Sequence, residues 1–185
     1  MANLDAKRGL RPNRNANGGN VMYVEHWRAA STEIGLYQAV AVTAAGLVTA
    51  AASNSSNVLG VALQQVAAGT AGVLRRTIAV AADPKQMYIV QASAGGITNL
   101  AAYRGAFFGL VSNTSVNSAT GQAKGELDTS AAGTTVWTAS TQLRCLDLYS
   151  GVDNVIDGTA AGSSNAQFIV EIAAKSHQNA NNKAI

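Results

Sequence analysis

Few residues in this 185-residue chain are suited to catalysis. Glu126 and Asp128 are two carboxylates separated by one residue, so on a strand they would share a face and could act as acid and base. The neighbouring Lys124 and the glycines around the pair instead favour surface ion pairs or partner contacts. The sequence therefore predicts no catalytic residues, and an enzyme built on these two carboxylates is an alternative.

The remaining reactive side chains are isolated. His26 and His177 are the only histidines, and neither has Cys, Asp or Glu at metal-ligand spacing. Cys145, the single cysteine, lies in the apolar stretch 143–146, where a small buried hydrophobic residue is expected. The chain contains no P-loop, nucleophile elbow or dinucleotide-binding glycine motif. We expect no metal and no cofactor.

Positive charge is concentrated at the N-terminus. Five of the 13 Lys and Arg residues, but only two of the 10 acids, lie within the first 28 residues, so this segment carries the whole net charge of +3. A nucleic-acid module usually spreads cations over a face and adds stacking aromatics, and the neutral remainder lacks both. We expect these cations to pair with carboxylates on a protein partner, with tethering to RNA or DNA as the alternative.

The composition indicates the fold class of the domain that bears these cations. Charged residues make up 12% of the chain and aromatics 5%, and many of the others are Ala, Gly, Ser and Thr. This excludes disorder, which needs high charge, and long surface helices or coiled coils. The turn-rich sequence predicts an all-β fold, a small barrel or sandwich of about eight to ten short strands. We place ten strands, at residues 21–27, 36–42, 47–51, 58–66, 74–81, 87–91, 106–111, 135–138, 141–149 and 168–175.

The remaining elements are an arm, a short helix and a tail. Residues 1–20 lack periodicity and are expected to form an extended basic N-terminal arm, which could reach about 60 Å. Residues 21–178 form the β-rich domain, with one short helix at 100–104 that Gly105 ends. Residues 179–185 form a flexible C-terminal tail. The uncharged run 34–52 fits a pair of core strands better than a membrane span.

Several segments, in order, resemble a known family. The opening, MANLDAKRGLRP, resembles that of tailed-bacteriophage head decoration proteins, also called cement or capsid-stabilising proteins. These typically begin with M-A-N-x-D-A leading to G-[LF]-R-P. Later segments resemble the family in the same order: NVLGVAL (57–63), VAADPKQMYIVQ (80–91), TGQAKGELD (120–128), TQLRCLDLYSGVDN (141–154) and AQFIVEIAAKSHQ (166–178). The alanine-rich region 31–52 and the longer tail depart from the family pattern.

The resemblance implies a β-tulip-like domain that binds the outer surface of an icosahedral head and bridges neighbouring major capsid subunits. It also implies self-association, with a trimer favoured and a dimer as the alternative. The protein would be made in the host cytoplasm and end on the virion surface, with no membrane and no direct nucleic-acid contact. The residues then expected to contact the capsid or a neighbouring subunit are Lys7, Arg8, Arg11, Pro12 and Arg14.

Two other classes of protein fit the same composition. One is another β-rich virion component, such as a head fibre, tail-tube or adaptor protein, which the copy number in the particle would distinguish. The other is a cell-surface or sugar-binding β-sandwich. It is disfavoured because the chain has only two tryptophans and its polar, basic first twenty residues contain no apolar secretion signal.

Overall fold

A computed structural model describes most of the chain. The described residues are 5, 7–16, 18, 22–53, 55, 57–69, 76–93, 103–130, 133–150, 154 and 165–173. They form eleven strands in two antiparallel sheets and contain no helix. The predicted all-β class is confirmed, with a sandwich rather than a closed barrel over these residues.

The larger sheet has six strands in the spatial order β1-β7-β11-β10-β8-β9. The pairing of β11 with β7 places Ile169 opposite Ile89 in the middle of the sheet. The strands of this sheet are β1 (Arg11–Asn15), β7 (Gln86–Gln91), β8 (Phe107–Val111), β9 (Glu126–Asp128), β10 (Leu143–Leu148) and β11 (Gln167–Ile172).

The smaller sheet has five strands in the order β2-β6-β5-β3-β4. Its strands are β2 (Val24–Arg28), β3 (Ala39–Val42), β4 (Val48–Ala50), β5 (Gly60–Ala62) and β6 (Thr77–Ala81). A single bridge joins Ala29, just after β2, to Val48 in β4. The two edges of this sheet therefore approach each other at one end, and the sheet curls.

Side-chain alternation divides the interior into two clusters. Along β3, Ala39 and Ala41 face the cluster between the sheets, whereas Val40 and Val42 belong to a second cluster on the other face of the smaller sheet. Successive side chains of a strand point to opposite faces of the sheet, so neighbouring residues of β3 enter different clusters. Along β11, Phe168, Val170 and Ile172 all enter the cluster between the sheets, as its alternation predicted.

A tight turn carries the chain from the smaller sheet to the larger one. The Asp83 carbonyl accepts a 3.0 Å hydrogen bond from the Gln86 amide, and the Asp83 carboxylate accepts one of 2.8 Å from the Lys85 amide. Asp followed by Pro is a sequence that favours such a turn. The turn leads into β7, in which Tyr88 is fully buried.

The buried side-chain amide of Asn113 joins the two sheets. It lies just after β8, and its Nδ2 donates to the carbonyls of Ala39 and Ala51 at 2.9 and 2.8 Å. Its Oδ1 accepts from the Ala39 amide at 3.0 Å. The Asn113 carbonyl in turn accepts a hydrogen bond from the buried Gln38 side chain. One side chain thus satisfies backbone groups at the start of β3 and just after the end of β4 in the smaller sheet.

Two of the predicted elements differ from the structure. Residues 135–138 were predicted as a strand but are not paired as one, because only Thr134 forms an isolated bridge to Phe107. The predicted helix begins outside the described residues, and its last positions, Tyr103 and Arg104, lie in a turn. Gly105 ends that turn with a φ of 81°, a conformation that favours glycine.

Replacing Asn113 tests the connection between the sheets. We expect Asn113→Ala to lower the free energy of unfolding by about 2–4 kcal/mol, because it leaves buried backbone groups of Ala39 and Ala51 unpaired. Denaturant unfolding measures the change. The control Asn57→Ala, at an exposed position, is expected to stay within about 0.5 kcal/mol of the parent. Equal losses in both variants would contradict the assigned role.

Candidate partner-binding site around the N-terminal segment

The N-terminal segment is anchored to its own domain. Leu10 is fully buried in the cluster between the sheets, and its amide donates a 2.9 Å hydrogen bond to the Tyr37 carbonyl. Gly9 has a φ of 65°, and a Cβ there would overlap the Tyr37 carbonyl oxygen. Glycine is therefore needed to turn the chain into the core at this point. Lys7 and Arg8 remain exposed just before the turn.

The following residues were predicted as part of an extended basic N-terminal arm, residues 1–20. Residues 11–15 are extended, as predicted, but as strand β1 they pair antiparallel with β7 at an edge of the larger sheet. Pro12 lies opposite Tyr88, and a proline is accommodated here because an edge strand has one unpaired side. The described part of the predicted arm, residues 7–16, is therefore attached to the β-rich domain, and no boundary between arm and domain lies within it. The pairing was missed because the sequence RPNRN has no apolar alternation.

The predicted contact residues lie in two groups. Lys7 and Arg8 lie before the strand, while Arg11 and Arg14 lie in it. The Arg11 guanidinium is half-buried and donates a 2.8 Å hydrogen bond to Gln167 Oε1. Arg14 is exposed, and its carbonyl accepts from the Gln86 side chain at 3.2 Å. Arg8 and Arg14 are therefore better placed than Arg11 to contact another molecule.

An ion pair between Arg104 and Asp147 lies within electrostatic reach of Arg14 in β1. Arg104 pairs with Asp147 at 2.9 Å on the protein surface. The hydrogen bond from Arg104 is the main cause that lowers the pKa of the Asp147 carboxyl, and the charge of Arg14 adds to the effect. Arg14 therefore lies within the electrostatic reach of this pair.

Glu126 is a buried partner of the N-terminal segment. Its Oε2 lies 3.1 Å from Lys7 Nζ, with the glutamate side chain 3% exposed and the lysine side chain 40% exposed. Oε1 is buried without a hydrogen bond. Burial raises the pKa of the Glu126 carboxyl above its ordinary value, and Lys7 partly offsets this. The expectation of a surface ion pair near Lys124 is therefore wrong for Glu126, because β9 carries its side chain inward.

Asp128 has different partners from Glu126. Its Oδ1 accepts hydrogen bonds from the amide and hydroxyl of Ser130, at 3.1 and 2.6 Å. It lines a small cleft with Thr134 and Ser140, whereas Glu126 contacts Lys7. The structure does not bring the two carboxylates onto a common partner.

A cleft of about 500 Å³ lies beside Lys7 and Arg8. Its other wall is the connection between β8 and β9, residues 112–125. The residues that line the cleft are Asp5, Lys7, Arg8, Asn117, Thr120, Gln122 and Lys124. Lys124 is not among the contact residues predicted from the sequence, where it was noted only as a neighbour of Glu126 and Asp128. The one signal for it is that it is the only cation between residues 105 and 143.

The other candidate residues lie elsewhere. Cys145 is fully buried, as predicted, and burial raises the pKa of its thiol to about 12. His26 is exposed on β2, and His177 lies outside the described residues. In the part of the chain that the structure describes, no three His, Cys, Asp or Glu side chains lie close enough together to hold a metal ion.

No protein-family model matches the chain, and no curated protein is significantly similar to it. Over the described residues, no helix has the length and apolarity needed to cross a membrane.

The Lys7–Glu126 pair predicts a pH-dependent effect. Since the pKa of Glu126 is raised in the folded state, its proton stabilises the fold at low pH, and that contribution is lost as the pH rises through the folded-state pKa. Lys7 limits the loss. We expect Lys7→Met to lower the free energy of unfolding at pH 7 by about 1–2 kcal/mol, since it leaves the buried Glu126 carboxylate without its ion-pair partner. The loss is kept to this size because the Lys7 side chain is 40% exposed and solvent screens the pair.

The difference in free energy of unfolding between the parent and Lys7→Met should become smaller at pH values below the ordinary carboxyl pKa, because Glu126 is then protonated in both proteins. Denaturant unfolding at a series of pH values measures it. Glu126→Gln serves as the control, because a neutral side chain of the same shape should remove most of the pH dependence of the Lys7→Met effect. A Lys7→Met loss that is the same at every pH would contradict this assignment.

Proposed function

We propose that the protein is a virion structural protein that binds the outer surface of an icosahedral phage head. It would stabilise the head by bridging neighbouring major capsid subunits. The observation that carries the proposal is the placement of two exposed cations, Arg8 just before strand β1 and Arg14 within it, on a segment fixed to a body that is otherwise neutral in charge. The ordered resemblance to head decoration proteins supplies the identity of the partner.

The proposed mechanism is thermodynamic linkage. A molecule that binds the assembled lattice but not its dissociated subunits stabilises the lattice by RT ln(1 + [L]/Kd) per site. Several weak contacts on one molecule raise the effective concentration of the others, so the molecule as a whole is held firmly. Self-association, with a trimer favoured over a dimer, would multiply these contacts.

The docked segment changes how the contacts are made. Arg8 and Arg14 are presented from fixed backbone positions, and each guanidinium can bind a carboxylate through two parallel hydrogen bonds. β1 is also an edge strand, so its outer side could accept a strand from a neighbour, except at Pro12, which has no amide hydrogen. Under this proposal the protein needs no cofactor, no catalytic residue and no nucleic acid.

Particle binding tests the proposed function. Heads of the phage that encodes the chain, prepared without it, are expected to bind the purified protein saturably in a fixed ratio to the major capsid protein. The measurement is cosedimentation with increasing protein. A ratio of only a few copies per particle would contradict the proposal and favour the alternative, another β-rich virion component such as a head fibre, tail-tube or adaptor protein.

Single substitutions test the proposed contacts. Deleting residues 1–20 is unsuitable because it removes Leu10 from the core together with β1. We expect Arg8→Ala and Arg14→Ala each to weaken head binding about three- to tenfold at low salt, and less at high salt. The matched control is Arg28→Ala, which removes one exposed cation from β2. Equal effects of all three, or effects independent of salt, would overturn the contact assignment.

A further inference from the structure

The cleft beside the N-terminal segment is built from two walls that share one support. On one side, the Leu10 amide donates to the Tyr37 carbonyl at 2.9 Å. On the other, the Ala123 amide donates to the Leu36 carbonyl at 2.9 Å, and the Leu36 amide donates to the Gly121 carbonyl at 2.8 Å. Both walls are thus fixed to adjacent residues of one segment, and the spacing between them is set by the backbone.

Tyr37 itself has little freedom to move. Its amide donates a 2.8 Å hydrogen bond to the Ala62 carbonyl in β5, and its φ of 65° is uncommon for a residue other than glycine. The support of the cleft is therefore part of the smaller sheet. A side chain that enters the cleft would meet groups already held in position.

The charges of the cleft are not balanced internally. Lys7 is paired with Glu126, and Asp5 accepts a 2.9 Å hydrogen bond from Gln91. Arg8 and Lys124 form no ion pair with any residue that the structure describes. Among the residues that the structure describes, these two cations of the cleft thus have no ion-pair partner. Asn117, Thr120 and Gln122 add neutral polar side chains to the same wall as Lys124.

We propose that this cleft binds the carboxylate of one Asp or Glu side chain of a neighbouring protein subunit, held between Arg8 and Lys124. The identity of that neighbour as a capsid subunit rests on the proposed function. A carboxylate fits better than a phosphate, because Asp5 lines the cleft and would oppose a second negative charge. A guanidinium and a carboxylate also form charge-assisted hydrogen bonds, which are stronger than hydrogen bonds between neutral groups.

A titration with a small carboxylate tests the cleft alone. Sodium acetate, compared with sodium chloride at equal ionic strength, is expected to shift the backbone amide NMR signals of residues 117–124 saturably, with a millimolar Kd. The double variant Arg8→Gln/Lys124→Gln should weaken this binding at least about tenfold. The charge-matched control Arg28→Gln/Lys85→Gln, which changes two exposed cations outside the cleft, should leave it unchanged.

Each other outcome of the titration overturns the proposal. The absence of saturable shifts would show that the cleft does not bind carboxylates. Equal losses in the two double variants would show a general charge effect. Inorganic phosphate that binds more tightly than acetate would overturn the choice of carboxylate. Unfolding curves of both double variants establish beforehand that the fold is intact.

Head binding then separates this inference from the proposed function. Arg8→Gln/Lys124→Gln is expected to weaken binding to heads at least about tenfold relative to Arg28→Gln/Lys85→Gln. If the parent binds heads and the cleft variant binds equally well, the assignment of the cleft to a capsid carboxylate fails while the proposed function stands. If the parent does not bind heads but acetate occupies the cleft, the proposed function fails and the carboxylate site remains.

Discussion

The hydrogen bonds of one buried side-chain amide, that of Asn113, join the two sheets at the end where the cleft beside Lys7 and Arg8 lies. The side chain bonds to the backbone of Ala39 and Ala51 in the smaller sheet, while its own backbone begins the β8–β9 connection of the larger sheet. That connection continues to Lys124. Because an unpaired buried amide or carbonyl is costly, this geometry has few alternatives, and the cleft wall is fixed by the same requirement that joins the sheets.

The strands that were predicted correctly are those whose side chains alternate across a buried interface. Along β3 and β11, alternate positions enter different environments, and the pattern of apolar residues records this. β1 could not be found in this way. Its residues are polar or charged, and its stability comes from backbone pairing with β7 and from Leu10, which lies just outside the strand. Backbone pairing leaves no trace in side-chain periodicity.

The candidate site divides in the same manner. Lys7 and Arg8 stood out because they belong to a local excess of positive charge, which is a property of the sequence. Lys124 and Glu126 lie more than a hundred residues later in the chain. They approach Lys7 and Arg8 only because the fold forms isolated bridges from Ala92, just after β7, to Leu127 in β9 and from Leu36 to Gln122. The burial of Glu126 was likewise hidden, because a carboxylate in a polar, glycine-containing stretch ordinarily lies on the surface. Only the fold makes it the partner of Lys7.

The docking of the N-terminal segment changes the energetics of the proposed binding. A free arm would lose about 1–2 kcal/mol of backbone entropy for each residue ordered on a partner, whereas residues 10–15 have already lost that freedom on folding. The fixed segment also sets a distance. At about 3.3 Å per residue, the Cα atoms of Arg8 and Arg14 are at most about 20 Å apart, and the backbone between them is held by the Leu10–Tyr37 hydrogen bond and the pairing of β1 with β7. Two fixed cations on one segment would suit the proposed contact with two neighbouring subunits, because such a molecule would bind best where those subunits are held at the matching spacing, as an assembled lattice would hold them.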